Sequence, residues 1–326
     1  MISDDLELVL PTYNRADALA RTLEQLADSP FAACRLTVMD NCSTDSTPEV
    51  CARLADRFDD FRVVRHRRNV GAEANYLRAL EGLEQPYGWV LCDDDDLDFS
   101  DCDDVIAAIA EGEVDLVSVG APGREDWPGG TTTMGRLHSK HPEVYGVFTF
   151  WPNTIYRTAA IDATALMDGY RNIENLYPMF SFVRRLIERD APVHISRSML
   201  VHRVGVTVPT TRMHWYVRWV RCVSTIPESE VRRDLVWNTS PGRIDYLRTF
   251  GASIAQEKLY RPHAVAGELW ELLFLLRGVQ RLLLVAFAPL ALIPTSVLAW
   301  AKRLITGERE EGPPRFRDAA PAPPWP

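Results

Sequence analysis

The chain has 326 residues, 46% of them hydrophobic and 25% charged, which is globular composition with enough apolar material for one large domain or two ordinary ones. Its net charge of −9 argues against a nucleic-acid partner, whose footprint is basic. The six cysteines (Cys34, Cys42, Cys51, Cys92, Cys102, Cys222) show no C-x-x-C or metal-ligand spacing, and Met1–Asp5 lacks the basic and apolar parts of a leader, so reduced thiols and a cytoplasmic location are expected.

Leu6–Leu10 reads as a first strand, closed by Pro11. Ala16–Ala27 carries Leu19, Leu23 and Leu26 at helical spacing. Leu36–Met39 reads as a second strand, ending at Asp40–Asn41. Thr47–Pro48 starts a helix, with Thr47 placed to cap it and Pro48 at the first helical position; the helix runs to about Phe58. A third strand over Phe61–His66 and a third helix over Ala72–Leu83 follow. Trp89–Cys92 is a fourth strand, brief and bulky enough to be buried, and it stops at Asp93, Asp94, Asp95 and Asp96. Val105–Ala110 and Val114–Val119 continue the alternation of helix and strand. Such alternation with short links predicts a mostly parallel sheet covered on both faces.

The rhythm then breaks. Ala121–Gly146 has no clear period and reads as a long loop near the site. Asn153–Arg157 reads as a strand, Ala159–Met167 and Leu176–Arg189 as helices, and Val193–Ile195 and Met199–His202 as short strands. Beyond Pro209 the chain reads as helical, up to a Pro-rich tail over Gly312–Pro326. Arginines from Arg184 to Arg233 crowd the start of the second half. They suit an anionic substrate or membrane surface, or equally a set of solvated helix faces.

The chemistry gathers where the first four strands end. Carboxylates crowded on one loop repel one another unless hydrated or paired, and a hard cation such as Mg²⁺ or Mn²⁺ takes such oxygens together with substrate phosphates. Beside Asp93–Asp96 stand Pro11–Thr12–Tyr13–Asn14–Arg15 after strand one, Asp40–Asn41–Cys42–Ser43–Thr44–Asp45 after strand two, and Asn69–Val70–Gly71 running into Arg78 after strand three. In open α/β sheets that edge binds ligands.

This set, in this order, resembles the N-terminal half of the family 2 glycosyltransferases, which have the GT-A fold: an α/β fold with a mixed, mostly parallel sheet. Within them it is similar to bacterial O-antigen enzymes of the abequosyltransferase type. The resemblance covers Leu6–Val119 well and Trp151–His202 loosely. It implies a catalytic domain over 1–205, with a nucleotide-sugar half (1–120) and an acceptor half (121–205). A helical region (206–280), a hydrophobic membrane-associated segment (281–305) and the Pro-rich tail (306–326) would follow.

The resemblance also implies roles. Pro11, Thr12, Tyr13, Arg15, Asp40, Asn69, Arg78, Asp93 and Asp94 would bind the nucleotide-sugar, with Thr12, Tyr13 and Asp40 around the base. The D-x-D motif falls on Asp93–Asp95, so Asp95 would ligate Mn²⁺ or Mg²⁺, with Asp93 beside it and His202 as a further contact. Four consecutive aspartates leave Asp94 and Asp96 as alternatives for the register. The reaction needs a base for the acceptor hydroxyl. Glu174 fits the first acid of the family's acidic pair, while Asn175 stands where the usual base would be; the alternatives are Asp162, Asp168 or Asp190, and Glu174 would otherwise cap the helix starting near Leu176.

Leu282–Ala301 is uncharged and about as long as a membrane span, but Pro289 and Pro294 interrupt it and both flanks are basic. A kinked or re-entrant segment in the cytoplasmic leaflet is favoured, ahead of a true span and of a core helix or oligomer contact. The expected protein is therefore a metal-dependent, inverting glycosyltransferase. Its expected partners are a nucleoside-diphosphate sugar, a lipid-linked glycan acceptor, the inner face of the cell membrane, and a second copy of itself if it forms a homo-oligomer. A sugar nucleotidyltransferase and a non-catalytic membrane scaffold are the alternatives.

Overall fold

The computed structural model describes residues 2–119, 129–141, 147, 148, 150–175, 177–202, 212–225 and 243–306. They fall into two compact units, the first holding the described residues up to 202 and Thr225, the second holding 212–224 and 243–306.

An eight-stranded sheet forms the first unit, in the order β3-β2-β1-β4-β8-β6-β9-β7. Here β1 is Leu6–Thr12, β2 Arg35–Asp40, β3 Phe61–Arg65, β4 Tyr87–Val90, β6 Leu116–Ser118, β7 Gly130–Thr133, β8 Thr154–Arg157 and β9 Pro192–Ile195. β1 to β4 pair in parallel, as do β6 and β9, while β8 runs antiparallel between β4 and β6 and β7 antiparallel to β9. A second small sheet pairs β5 (Asp96–Leu97) with β10 (Val201–His202).

β1 is central, so it must be apolar on both faces. Leu6, Leu8, Val9 and Leu10 are all buried. Its one buried acid, Glu7, accepts the backbone N–H groups of Glu84 and Gln85 in the turn entering β4, which compensates for its lost hydration. Ala16–Ala27 (α1) lays Leu19, Leu23 and Leu26 on the sheet, as their spacing predicts. Trp89 anchors the same core: it is fully buried, meets Phe31 and Phe99 edge-on, and donates its indole N–H to Pro152 O at 2.7 Å.

Several boundaries differ from expectation. β1 runs through Pro11 to Thr12 because alternate residues bond to β2: Thr12 O still accepts Asn41 N–H, and the N–H that Pro11 lacks would face the other side, where β4 has ended. β4 ends at Val90 rather than Cys92, although Leu91 N–H still reaches Val9 O. The second helix, α2, is Thr47–Leu54 with Pro48 one place further in; Thr47 does not cap it, since Asp45 accepts both the Thr47 N–H and hydroxyl. α3 stops at Glu81, before Gly82. The helix expected over 159–167 is Ala163–Arg171, because Asp162 caps it through Ala165 N–H. The helix expected over 176–189 is Phe180–Glu188. Within the expected loop, β7 and a helix over Met134–Lys140 are formed; β7 lies at the outer edge of the sheet, far in the strand order from β1. The parts at 120–128, 142–146 and 149 lie outside the described residues.

The second unit is helical: Arg212–Val223, Arg243–Tyr260, Val265–Leu275, Gly278–Phe287 and Thr295–Thr306. Inside it His214 and Arg261 meet Glu268 at 3.1 and 3.2 Å, Arg261 also meets Glu257 at 3.2 Å, and Arg221 grips Glu271 with two nitrogens. Among the described residues no single helix is long and apolar enough to cross a membrane; Arg281–Leu292 and Thr295–Ala301 together pass that test but are bent by 100°. The bend falls at Pro294, which cannot supply a helical N–H. Trp270, Phe274, Leu282, Val285, Leu292, Val297 and Trp300 are exposed, so this segment is not a buried core helix of its own unit.

Candidate active site

The ends of β1, β2 and β4 lie side by side. Thr12 is in register with Asp40, the Asn41 N–H extends that ladder to Thr12 O, and His66 N–H extends the next one to Asp40 O. The loops beyond are laced together by short polar side chains. Asn14, held in the left-handed region at φ 52°, accepts Thr44 N–H at 2.7 Å through its side chain and donates its own N–H to Ser43 Oγ. Asp45 accepts Ala16 N–H at 3.0 Å; burial opposes ionisation there, but the hydrogen bonds from Thr47 and Ala16 outweigh it and lower the carboxyl. Asn41 fastens the third loop, donating to Asn69 Oδ1 and Gly71 O and accepting Val70 N–H. These loops therefore form one cross-tied surface, and that lacing was not readable from the sequence.

On this surface Asp40 is buried, its carboxylate aimed by Ser43 N–H at 2.8 Å and by Arg65 Nε at 3.4 Å. Tyr13, next in sequence to Thr12, stands exposed, and Pro11 is half-buried. Asn69 uses its carbonyl oxygen on Asn41 and Gly71, leaving its amide N–H groups for other work. Arg78 lies on α3 (Ala72–Glu81), 3.4 Å from His66 Nδ1, and His66 in turn meets Asn75 at 2.8 Å.

The four aspartates have separate fates. Asp93 is buried, accepts the Thr12 hydroxyl at 2.6 Å and faces Arg15 Nη1 at 3.3 Å. Burial pushes its carboxyl up to about 6, against the pull of the Thr12 hydroxyl and the Arg15 charge. Asp94 is half-buried and also pairs with Arg15. Asp95 is buried, and Asp96 is exposed at the start of β5. Ligand atoms of Cys92, Asp94 and Asp95 all lie within 4.8 Å of one another. Burial, and then the neighbouring carboxylates, drive the Cys92 thiol well above its ordinary value, so it stays protonated and the anionic donors are oxygens. An oxygen donor set of this kind fits Mn²⁺ or Mg²⁺, and Asp94 and Asp95 are the residues that would hold it. Asp93 instead turns to Thr12 and Arg15. His202 is carried to the same loop by pairing with Asp96 across the small sheet, but its ring is not in the compact donor group. Cys92 is the member of that group which spacing alone did not single out.

Glu174 lies exposed in a single 3₁₀ turn, Ile173–Asn175, well before the helix that starts at Phe180, so it does not cap that helix. Asn175 is buried and closes the turn by donating to Asn172 Oδ1 at 3.0 Å. The alternative acids are occupied. Asp162 caps its helix and meets Arg185, Asp168 pairs with Arg184 at 2.5 Å, and Asp190 accepts Gly135 N–H at 2.6 Å. Among the described residues the Glu174 side chain makes no hydrogen bond.

Residues 7–164 match the family described as Glycosyl transferase family 2. No curated protein sequence matches the chain. Among solved structures, S. aureus TarS 1–349 in complex with UDP-GlcNAc aligns with a TM-score of 0.60 and 17% identity, over 92% of each chain. A longer TarS structure aligns at 0.59 and 16% identity, and this chain spans 55% of its length. The mannosyltransferase PcManGT from Pyrobaculum calidifontis, in complex with GDP-Man and Mn²⁺, aligns at 0.52 and 13% identity, over 93% of this chain and 88% of that one. The sheet order, the helices around it and these likenesses together make the fold GT-A-like, with a helical C-terminal region.

Proposed function

We propose that this chain, which carries a glycosyltransferase family 2 domain over residues 7–164, moves a sugar from a nucleoside-diphosphate sugar to an acceptor hydroxyl by a single inverting displacement that depends on Mn²⁺ or Mg²⁺. The observation that carries the reading is one cross-tied edge. It holds a buried acid for a base (Asp40), a carboxylate pair for a cation (Asp94, Asp95) and an arginine between them and solvent (Arg15). The TarS and PcManGT complexes, which hold UDP-GlcNAc and GDP-Man with Mn²⁺, support the same donor class.

A divalent ion in such a site neutralises charge developing on the leaving diphosphate. The chain does the rest. Asp40 accepts a base N–H, Tyr13 lines the base with its ring, and Arg78 stands on the nucleotide side. The lacing from Asn14, Asn41 and Asp45 fixes these groups before substrate arrives, so little ordering entropy remains to be lost on binding. Glu174 takes the proton of the acceptor hydroxyl, being the acid of its segment that no other described residue engages.

The acceptor in this reading is a lipid-linked surface glycan of the O-antigen kind, at the inner face of the membrane. The exposed apolar residues from Trp270 to Trp300 support it, since a bent apolar segment with basic flanks suits the headgroup boundary. A sugar nucleotidyltransferase wants a Gly-rich phosphate loop after the first strand, and Pro11–Thr12–Tyr13–Asn14 is not one. The non-catalytic scaffold keeps one argument, the buried amide of Asn175 where an acid would be expected. Incubating the full chain with Mn²⁺ and labelled UDP-, dTDP-, GDP- and CDP-sugars, with and without a polyprenyl-diphosphate glycan, decides among them. Release of diphosphate nucleotide from one donor is expected; no transfer and no hydrolysis with any donor favours the scaffold.

A further inference from the structure

Arg15 sits where a cation is wanted. Its Nη1 faces Asp93 Oδ1 at 3.3 Å and makes a closer ion pair with Asp94 Oδ2. Asp94 is also one of the three residues whose ligand atoms converge beside Asp95. One carboxylate therefore serves two cations, the guanidinium now on it and a divalent ion. The charges explain why both are needed in turn. Among the described residues Asp93 and Asp94 share the Arg15 guanidinium, two carboxylates against one positive charge, which leaves that pair one charge short of neutrality until a divalent ion arrives. Once it does, Arg15 is surplus on the loop, while an incoming diphosphate brings new negative charge.

Arg15 can answer both states because of how it is mounted. The neighbouring backbone is pinned on each side, Asn14 N–H to Ser43 Oγ at 2.9 Å and Ala16 N–H to Asp45 Oδ2 at 3.0 Å. The side chain itself is 41% exposed, so it can swing without moving the loop. A guanidinium stays protonated in any protein environment, so Arg15 remains a full cation wherever it points.

Building on the proposed metal-dependent transfer, we infer that Arg15 is the resident counter-cation of Asp94, that the divalent ion displaces it, and that the freed guanidinium then grips the diphosphate of the donor. Metal and diphosphate binding are thereby linked, each favouring the other, as reciprocity requires. A guanidinium suits the second post because its fork matches phosphate oxygens in pairs.

The test uses the full chain, Mn²⁺ followed by the resonance of the free ion, and inorganic pyrophosphate as the diphosphate probe. For Arg15→Gln, Mn²⁺ alone should bind about tenfold tighter than to the unaltered protein, and the Mn²⁺–pyrophosphate complex about tenfold weaker, roughly 1.4 kcal/mol each way. Arg15→Lys keeps the charge but loses the fork; it should bind Mn²⁺ much as the unaltered protein does and pyrophosphate at an intermediate level. Equal Mn²⁺ affinity in all three overturns the displacement. Tighter Mn²⁺ with unchanged pyrophosphate affinity overturns the transfer of Arg15 to the diphosphate. An unaltered protein that binds no Mn²⁺ at all overturns the functional reading itself, and this inference with it.

Discussion

In the sheet unit, Asp93 is buried beside a hydroxyl and an exposed arginine; in the helical unit, Glu257 is buried beside a second carboxylate, Glu268, and beside Arg261. Burial is the first cause of an upward shift in both, to about 6 for Asp93 and about 7 for Glu257. The surroundings differ in one respect. Arg15 reaches solvent, so a ligand can take its place or share it. Arg261, Glu268 and His214 are themselves largely enclosed, so the cations beside Glu257 are less open to exchange with a ligand from solvent. A costly carboxylate next to an exchangeable neighbour marks a binding site, and the same carboxylate in a closed ring marks a brace.

Three experiments bear on that contrast. The largest effect belongs to Asp95→Ala, which should weaken Mn²⁺-dependent nucleotide binding at least about 100-fold in calorimetry while the far-ultraviolet dichroism stays unchanged, since metal clamps of this kind supply several kcal/mol. Unchanged binding would show that the register of the acidic loop is misassigned. Second is the brace. The folded state favours neutral Glu257, so its stabilising contribution is complete below the ordinary glutamate value of 4.5 and is lost as pH rises through about 7. Urea midpoints at about pH 5 and pH 8 should therefore differ by about 2 kcal/mol from this group, and Glu257→Gln, which cannot ionise, should remove that difference. A slope that survives the substitution assigns it to another group. The smallest effect is at the surface. Leu282→Ser, Leu292→Ser and Trp300→Ser together alter side chains that are 70%, 84% and 61% exposed, so folding should be unaffected. Sedimentation with anionic phospholipid vesicles should fall several-fold, as lost apolar contact with the membrane predicts; full retention would place the membrane contact elsewhere.

The parts of this molecule legible in its sequence are those where burial enforces a pattern. Leu19, Leu23 and Leu26 can only be one helix face, and β1, β2 and β4 are largely buried runs that stop at polar loops, so the edge carrying Thr12, Asp40 and Asp93 could be read directly. β7 escaped notice because Gly130–Thr133 is an edge strand with no residue type to betray an inner face; pairing with β9 alone defines it. The helix at Phe180 starts later than expected because Ile173–Asn175 forms a turn of its own, held by an amide bond between Asn175 and Asn172 that no periodicity announces. Within the acidic run the residue types are identical, so sequence could not tell which carboxylate turns inward to Thr12 and which turns toward Cys92.

The reversed direction of β8 has a consequence for how such a protein diversifies. Every strand from β3 to β4 leaves the sheet at the edge that carries Asp94 and Asp95, but β8 enters there, with Asn153 N–H on Phe150 O and Trp151 stacked 4.4 Å over Tyr76 just ahead of it. Within that edge the arriving start of β8 is set between the departing ends of β4 and β6. Insertions upstream of Trp151 can therefore change the chain that arrives at this edge while the ladder of β8 with β4 and β6 stays in step.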